Sequence, residues 1–574
     1  MNNKAQRTVF LSGDEALAQG AFEAGLGFAA SYPGTPATEI LEYLSKFPEV
    51  NAQWSVNEKV AYEVALGASI AGARSLYASK HVGLNVAMDP LMTSAYVGVG
   101  GGFVVVCADD PGIHSSQNEQ DNRLFARIAK IPLLEPSSPR EAYQFVKHAF
   151  AISEKFDTPV MIRLTTRIAH TKENVLTGIR KELPRKEFKI NIPKYVMVPK
   201  NAFQKHIELE NKILKLKAYS EKSPLNKIEI NDQKTGFITS GVTYLYTREM
   251  YPNASFLKLG MTFPFPTELA REFAKKVKNI FVIEELEPYM EEQLLMAGIK
   301  AKAKDPSFRV GELRPEDIPE IVKGKLRKHL PSTSRKPVMC PGCPHRSVFS
   351  VLKKLRLTVT GDIGCYTLGA LPPMGALHTC LCMGGGITLF EGFKKVLGQN
   401  VVGVIGDSTF VHSGVTGLIN LAYNQTKGLV IILDNSTTAM TGNQPHPGVG
   451  ITIKGEPTKK LILEDLCRSC GADNVDVVSA YKINELEELV KSRVNADALS
   501  VVIVRTPCKL IERSRAQAPA LDQSICKKCY LCLGLACPAL GKDEAGLIKI
   551  NGKFCVGCNL CASVCPSKAL KKNE

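Results

Sequence analysis

The segment 401–438, VVGVIGDSTFVHSGVTGLINLAYNQTKGLVIILDNSTT, decides the fold of the chain's second half. It opens and closes on apolar runs, Val401–Ile405 and Leu429–Leu433, and Ser500–Val504 is a third. None alternates polar with apolar residues, so each suits a strand in a parallel sheet covered on both faces. The stretch between the first two runs reads as a helix, which makes a strand–helix–strand crossover. The first run ends in Gly406-Asp407-Ser408 and the second in Asp434-Asn435-Ser436-Thr437-Thr438. Ligands of such sheets gather at the carboxyl ends of strands. A carboxylate and an amide, 28 positions apart, therefore reach one edge. Oxygen donors of this kind suit Mg²⁺, which also draws on phosphate oxygens. A Gly-Asp after a strand is also an ordinary turn.

Working outward, 336–515 forms one α/β unit around these runs. Residues 1–170 alternate helical patterns with the short strands Phe28–Ser31, Phe103–Cys107, Pro132–Glu135 and Val160–Leu164, predicting a parallel-sheet domain. Residues 236–335 repeat the theme on a smaller scale, with strands Gly236–Thr239 and Asn279–Glu284. Between these units lies a Lys-rich, irregular insert, 171–235. At 574 residues the chain is too long for a single core.

Charge is concentrated in the insert. Residues 171–234 hold 15 Lys or Arg against 8 Asp or Glu, a surplus of 7 in a chain of net charge +16. No aromatic-studded recognition motif accompanies it, so nucleic acid is not expected as a partner. The segment reads as a solvated face, or as one that attracts an acidic protein. Leu91 to Ala108 carries no charge, yet Asp89, Asp109 and Asp110 flank it and glycines fill it. It reads as a small-residue helix running into the strand Phe103–Cys107, not as a membrane span. The first residues lack the apolar core of a signal peptide, and a cytoplasmic location is expected.

Of 17 cysteines, eight crowd into 526–565. The motifs are Cys526-x2-Cys529-x2-Cys532-x4-Cys537-Pro538 and Cys555-x2-Cys558-x2-Cys561-x3-Cys565-Pro566. The second resembles the bacterial ferredoxin run at every spacing. In that pattern the fourth cysteine of each run crosses to the other cluster. One [4Fe–4S] cluster is thus expected on Cys526, Cys529, Cys532 and Cys565, and the other on Cys555, Cys558, Cys561 and Cys537. Zinc also accepts CxxC pairs, but the paired set with both Cys-Pro endings favours iron–sulfur. The first motif carries one extra residue before Cys537.

The 402–442 region resembles the thiamine diphosphate motif, with GDS for the usual GDG and DNS for NN. That resemblance implies Asp407 and Asn435 as Mg²⁺ ligands with the Thr437 carbonyl, and Gly406 and Ser408 beside the cofactor. In the first domain, Glu58 of SVNEK stands where thiamine enzymes place the Glu that faces the aminopyrimidine. In isolation it is also an ordinary first-turn residue. Thr35 lies in YPGTP, which looks like the turn that faces the substrate carboxylate in 2-oxoacid:ferredoxin oxidoreductases. SYPGTPATEI, SVNEKVAYEVALGAS, MCPGCPHR, GDIGCYTLGALPP, GDSTFVHSG, DNSTTAMTGNQPHPG and the cysteine run together resemble that family, in the manner of a large subunit with a terminal ferredoxin module.

The resemblance implies two thiamine-type parallel-sheet domains, a smaller transketolase-C-terminal-like α/β domain at 236–335, and a two-cluster ferredoxin module at 520–574. It implies oxidative decarboxylation of arylpyruvates with coenzyme A, electrons leaving singly to ferredoxin, and a small beta subunit as partner. It further implies a third [4Fe–4S] cluster on Cys340, Cys343, Cys365 and Cys508. His446, in NQPHPG, is a candidate for proton transfer. Cys467 and Cys470 sit in a helical pattern and are left out. Two other readings stay open: a thiamine-dependent non-oxidative decarboxylase, and an electron-transfer subunit without its own catalytic cofactor.

Overall fold

The structure, a computed structural model, describes residues 7–184, 186–328, 337–512 and 515–572. The chain divides into two compact units, 1–331 and 332–574.

The first unit is built on a seven-stranded sheet in the order Met261–Phe263, Leu133–Leu134, Val160–Thr165, Phe103–Asp109, Ser75–Lys80, Phe28–Ser31, Asn51–Trp54. It is parallel except at its first pair. Ser75–Lys80 and Asn51–Trp54 escape sequence reading because small and polar residues interrupt them. A second, four-stranded sheet runs Asn279–Ile283, Asp232–Ser240, Ala254–Leu259, Lys227–Glu229, the last antiparallel. The chain leaves Ala254–Leu259 through Gly260 and enters Met261–Phe263, so one segment serves both sheets. A Cβ at Gly260 would stand 2.5 Å from the Leu225 carbonyl oxygen.

The uncharged stretch resolves into helix Met88–Val97, a glycine run and strand Phe103–Asp109. Its glycines serve close backbone approach: a Cβ on Gly100 would meet Ile70 O at 2.5 Å, and one on Gly101 would meet Ala73 O at 2.2 Å. Among the described residues no helix is long and apolar enough to cross a membrane. The Lys-rich insert is not irregular throughout. Lys172–Thr177 pairs antiparallel with Arg7–Ser12, and Pro199–Ser220 is a 22-residue helix. That helix buries only Leu209, Leu216 and Ser220. So narrow an apolar stripe, diluted by lysines, gives little helical periodicity to read.

The second unit contains a five-stranded parallel sheet in the order Thr358–Thr360, Val401–Gly406, Gly428–Asp434, Leu499–Arg505, Asn474–Val478. Its residues alternate between two cores. Val402, Val404, Leu429, Ile431 and Val502 pack with Phe349 and Leu352, whereas Val401, Ile405, Val430, Ile432 and Ile503 pack with Ile387, Phe390 and Leu418. This is why the strands read as unbroken apolar runs. Cys467 and Cys470 are buried in the second of these cores.

The cysteine-rich end has little regular structure. Two short antiparallel pairs, Ala520–Leu521 with Leu570–Lys571 and Leu540–Lys542 with Ile548–Ile550, frame a small core of Cys532, Leu535, Ile548, Leu560, Cys561 and Leu570. With so few apolar side chains, such a module ordinarily depends on its metal groups for stability.

Candidate cofactor and cluster sites

Register explains the strand-end site. Gly406 pairs with Leu433, so the residues that follow each strand emerge side by side. Asp407 is 2% exposed. Its carboxylate accepts from Ser408 N at 2.8 Å, Ser436 N at 2.9 Å and His446 Nε2 at 3.1 Å. Burial raises the Asp407 pKa, with His446 opposing and Asp434 adding to the rise. Asn435 Oδ1 accepts from Thr437 N at 3.1 Å, which folds the loop into a tight turn. Ser408 Oγ lies 2.9 Å from Thr438 Oγ1 and ties the two strand ends together. These are oxygen donors, and Asp407 Oδ1 and Asn435 Oδ1 each accept a single hydrogen bond and keep a lone pair, so the set fits a hard cation. In the same loop the buried Asn443 Oδ1 has no hydrogen-bond partner.

His446 has both ring nitrogens engaged. Nδ1 accepts from Gly448 N at 3.2 Å, which leaves Nε2–H to donate to Asp407. The histidine thus orients the carboxylate. Sequence reading also passed over Asp362, a fully buried carboxylate that accepts from Gly384 N and Gly386 N where helix Gly385–Leu397 begins. Burial pushes it up to about 6. Its signal was visible in GDIGC, a second Gly-Asp after a strand.

The terminal cysteines line two separate cavities. Cys526, Cys529, Cys532 and Cys565 line one. Cys537, Cys555, Cys558 and Cys561 line another. Electrostatics divides the thiols the same way. Burial and then Cys529 and Cys565 raise Cys532, whereas burial and then Cys558, Cys555 and Cys537 push Cys561 up to about 12. Each fourth cysteine therefore sits with the other motif's three. Among the described residues no three His, Cys, Asp or Glu side chains close around a single point as one metal ion requires. A cubane spreads its four thiolates around a larger body, which fits a lined cavity.

The dispersed cysteines also gather. Burial pushes Cys343 up to about 12 and Cys365 up to about 11. Cys343 further feels Cys365 and Cys340, Cys365 feels Cys508 and Cys340, and Cys508 feels Cys340 and Asp407. Thiols that lie this close together are a fitting donor set for a cationic iron core. Cys508 N donates to Asn435 O at 3.0 Å, so this set lies one backbone hydrogen bond from the oxygen site.

In the first unit, Asn57 caps helix Glu58–Ile70 by accepting from Val60 N at 2.9 Å, which sets Glu58 on the first turn. Glu58 is buried, and a Cβ on Gly83 would meet its Oε1 at 2.7 Å. Thr35 lies in the turn after Phe28–Ser31, where its carbonyl accepts from Ser115 Oγ at 3.2 Å. Lys80, at the end of Ser75–Lys80, was not foreseen. Its stem lies 3.2 Å from where a Cβ on Gly34 would stand, and Nζ donates to Ser115 O at 2.8 Å. Burial lowers its pKa, opposed by Asp110 and Glu58. A cation closing a strand (SLYASKH) was its available signal.

Three family models match the chain. A pyruvate flavodoxin/ferredoxin oxidoreductase thiamine-diphosphate-binding domain spans 19–221, a thiamine pyrophosphate enzyme C-terminal TPP-binding domain spans 362–504, and a 4Fe–4S binding domain spans 548–571. The indolepyruvate oxidoreductase subunit IorA of Archaeoglobus fulgidus is 38% identical over 98% of this chain and 97% of its own. Its counterpart in Pyrococcus horikoshii is 39% identical over 99% and 98%. A solved 2-oxoglutarate:ferredoxin oxidoreductase from Magnetococcus marinus covers 55% of this chain and 65% of its own, at 19% identity and a TM-score of 0.47.

Proposed function

Because the chain belongs to the indolepyruvate oxidoreductase subunit IorA family, among the 2-oxoacid:ferredoxin oxidoreductases, we propose that it takes arylpyruvates, indolepyruvate among them, to aryl-acetyl-CoA. Electrons leave one at a time to ferredoxin, and a smaller companion subunit completes the enzyme. The family machinery is thiamine diphosphate and iron–sulfur. Residues 1–170, 236–335, 336–515 and 520–574 are its functional divisions, with 171–235 as an insert.

Thiamine diphosphate, when bound, supplies the electron sink for the carbon chemistry. The protein's part is holding, orienting and conducting. Asp407 and Asn435 side chains and the Thr437 carbonyl would hold Mg²⁺, with Gly406 and Ser408 lining the diphosphate. His446 keeps the Asp407 carboxylate turned toward the Asn435 loop. Glu58 would hold a proton against the aminopyrimidine, and Thr35 would hydrogen-bond the substrate carboxylate. The twelve cysteines named above would hold three [4Fe–4S] clusters.

The observation that carries this reading is the hydrogen bond between Cys508 N and Asn435 O. It ties a cysteine set to the oxygen site, as an enzyme that oxidises its own intermediate requires. A non-oxidative decarboxylase has no use for it. The test is anaerobic co-expression with the companion subunit and an assay of viologen-dye reduction. Reduction should require both indolepyruvate and CoA and should exceed that with pyruvate or 2-oxoglutarate. Aldehyde formation without dye reduction would overturn the proposal in favour of a simple decarboxylase. Dye reduction without bound thiamine diphosphate would make the chain an electron-transfer subunit.

A further inference from the structure

Arg346 sits in the first turn of helix His345–Lys354 and is 1% exposed. A cation is disfavoured there, because the helix N-terminus already carries partial positive charge. Its hydrogen bonds go only to backbone carbonyls. Nε and Nη2 donate to Cys340 O at 3.1 and 2.9 Å, Nη2 also to Met339 O, and Nη1 to Leu535 O at 2.8 Å. Among the described residues no carboxylate shares in this set. A buried guanidinium without a counter-charge is costly, on the order of several kcal/mol.

The groups acting on it identify the compensation. Burial lowers the Arg346 pKa, and the sulfurs of Cys537, Cys343, Cys340 and Cys558 oppose it. Cys340 and Cys343 belong to the dispersed set, and Cys537 and Cys558 to the second terminal set. Arg346 also lines the cavity of that second set. The same interface is closed by Gly342, where a Cβ would meet Val556 Cγ2 at 2.3 Å, and by Tyr481, whose hydroxyl donates to Gly342 O at 2.8 Å. The guanidinium therefore stands between two groups of cysteine sulfurs, which become anionic when they hold metal.

We propose that Arg346 is a positioning and tuning residue between two iron–sulfur clusters, raising the reduction potential of both. This rests on reading the eight cysteines on its two sides as cluster ligands. The physics is Coulombic. A reduced cluster carries one more negative charge than an oxidised one, so a fixed cation in a poorly screened interior favours the reduced form. The remaining terminal set, Cys526, Cys529, Cys532 and Cys565, lines a separate cavity that Arg346 does not line, so its potential should not follow that of the other two.

The test compares the full chain, purified without oxygen beside its companion subunit, with Arg346→Met and Arg346→Lys. Iron content is measured, and EPR-monitored redox titrations give the potential of each cluster. Cys508→Ala and Cys529→Ala identify two of the three signals by their loss. Arg346→Met should keep its iron and shift the one-electron equilibrium of both neighbouring clusters at least tenfold toward the oxidised form, which is 59 mV. Arg346→Lys should restore most of the shift, and the Cys529 cluster should not move. Unchanged potentials in an iron-replete Arg346→Met would overturn the proposal. So would loss of iron in both variants, which would make Arg346 an assembly residue. A parent chain with about eight irons rather than about twelve, at four per cubane, would sink the third cluster separately. The cluster of Cys537 would then still answer for Arg346.

Discussion

Single residues carry the most direct tests. The crossing of the fourth cysteines predicts that Cys565→Ala and Cys529→Ala abolish the same EPR signal, each with a loss of about four irons. If Cys565→Ala instead silences the signal that Cys558→Ala removes, the motifs fill sequentially and the assignment falls. At the oxygen site, Asp407→Ala should abolish Mg²⁺-dependent binding of thiamine diphosphate in a calorimetric titration. It should also cost roughly 1–3 kcal/mol of stability, because Ser408 N and His446 Nε2 lose their acceptor. Glu58→Gln should bind the cofactor nearly as well and turn over at least about 10²-fold more slowly, since an amide has no acidic proton to share. Normal turnover in that variant would move the pyrimidine contact elsewhere.

Among elements, the loop Cys340–Cys343 does two jobs with one turn. It brings two cysteines to the dispersed set and packs against the cysteine-rich module through Gly342, whose φ is +69°. A side chain there would be strained by its backbone, by roughly 1–2 kcal/mol, and would also collide with Val556. Gly342→Ala should therefore release iron from the Cys537 cluster faster under a chelator. Gly552→Ala, where a Cβ meets nothing within 4 Å, serves as the silent control. Equal release from the two variants would show that the loop does not brace the module.

On the scale of the whole first unit, a buried ionic network joins its two sheets. Arg123 is fully buried and donates to Glu284 at 2.6 Å and to the Glu285 carbonyl at 2.7 Å. Glu285 itself is pushed up to about 7 by burial, with Arg163 opposing. The folded state then binds a proton that the unfolded chain releases near pH 4.5. The resulting stability is complete below pH 4.5 and is lost as pH rises toward 7. Glu285→Gln keeps the acceptor for Leu313 N and stays neutral. It should match the parent near pH 4.5 and exceed it at pH 8 by on the order of 2–3 kcal/mol, read from thermal unfolding across that range. A variant no more stable at pH 8 would refute the raised pKa.

Local chemistry was legible in the sequence wherever one short segment holds all of its signal. The strands Val401–Gly406 and Gly428–Asp434 were evident because burial on both faces leaves them uniformly apolar. The paired cysteine runs declare their metal because cubane ligation demands close spacing. The helix Pro199–Ser220 and the strand Asn51–Trp54 were hidden, since their contacts bury too few apolar residues to print a period. Tertiary structure alone decided what is joined over long separations. It set Cys508 against Asn435, returned a strand past Gly260 from one sheet to the other, and lodged Arg346 between thiols almost two hundred positions apart. Each of these depends on packing between elements, and one-dimensional spacing carries no record of which surfaces meet.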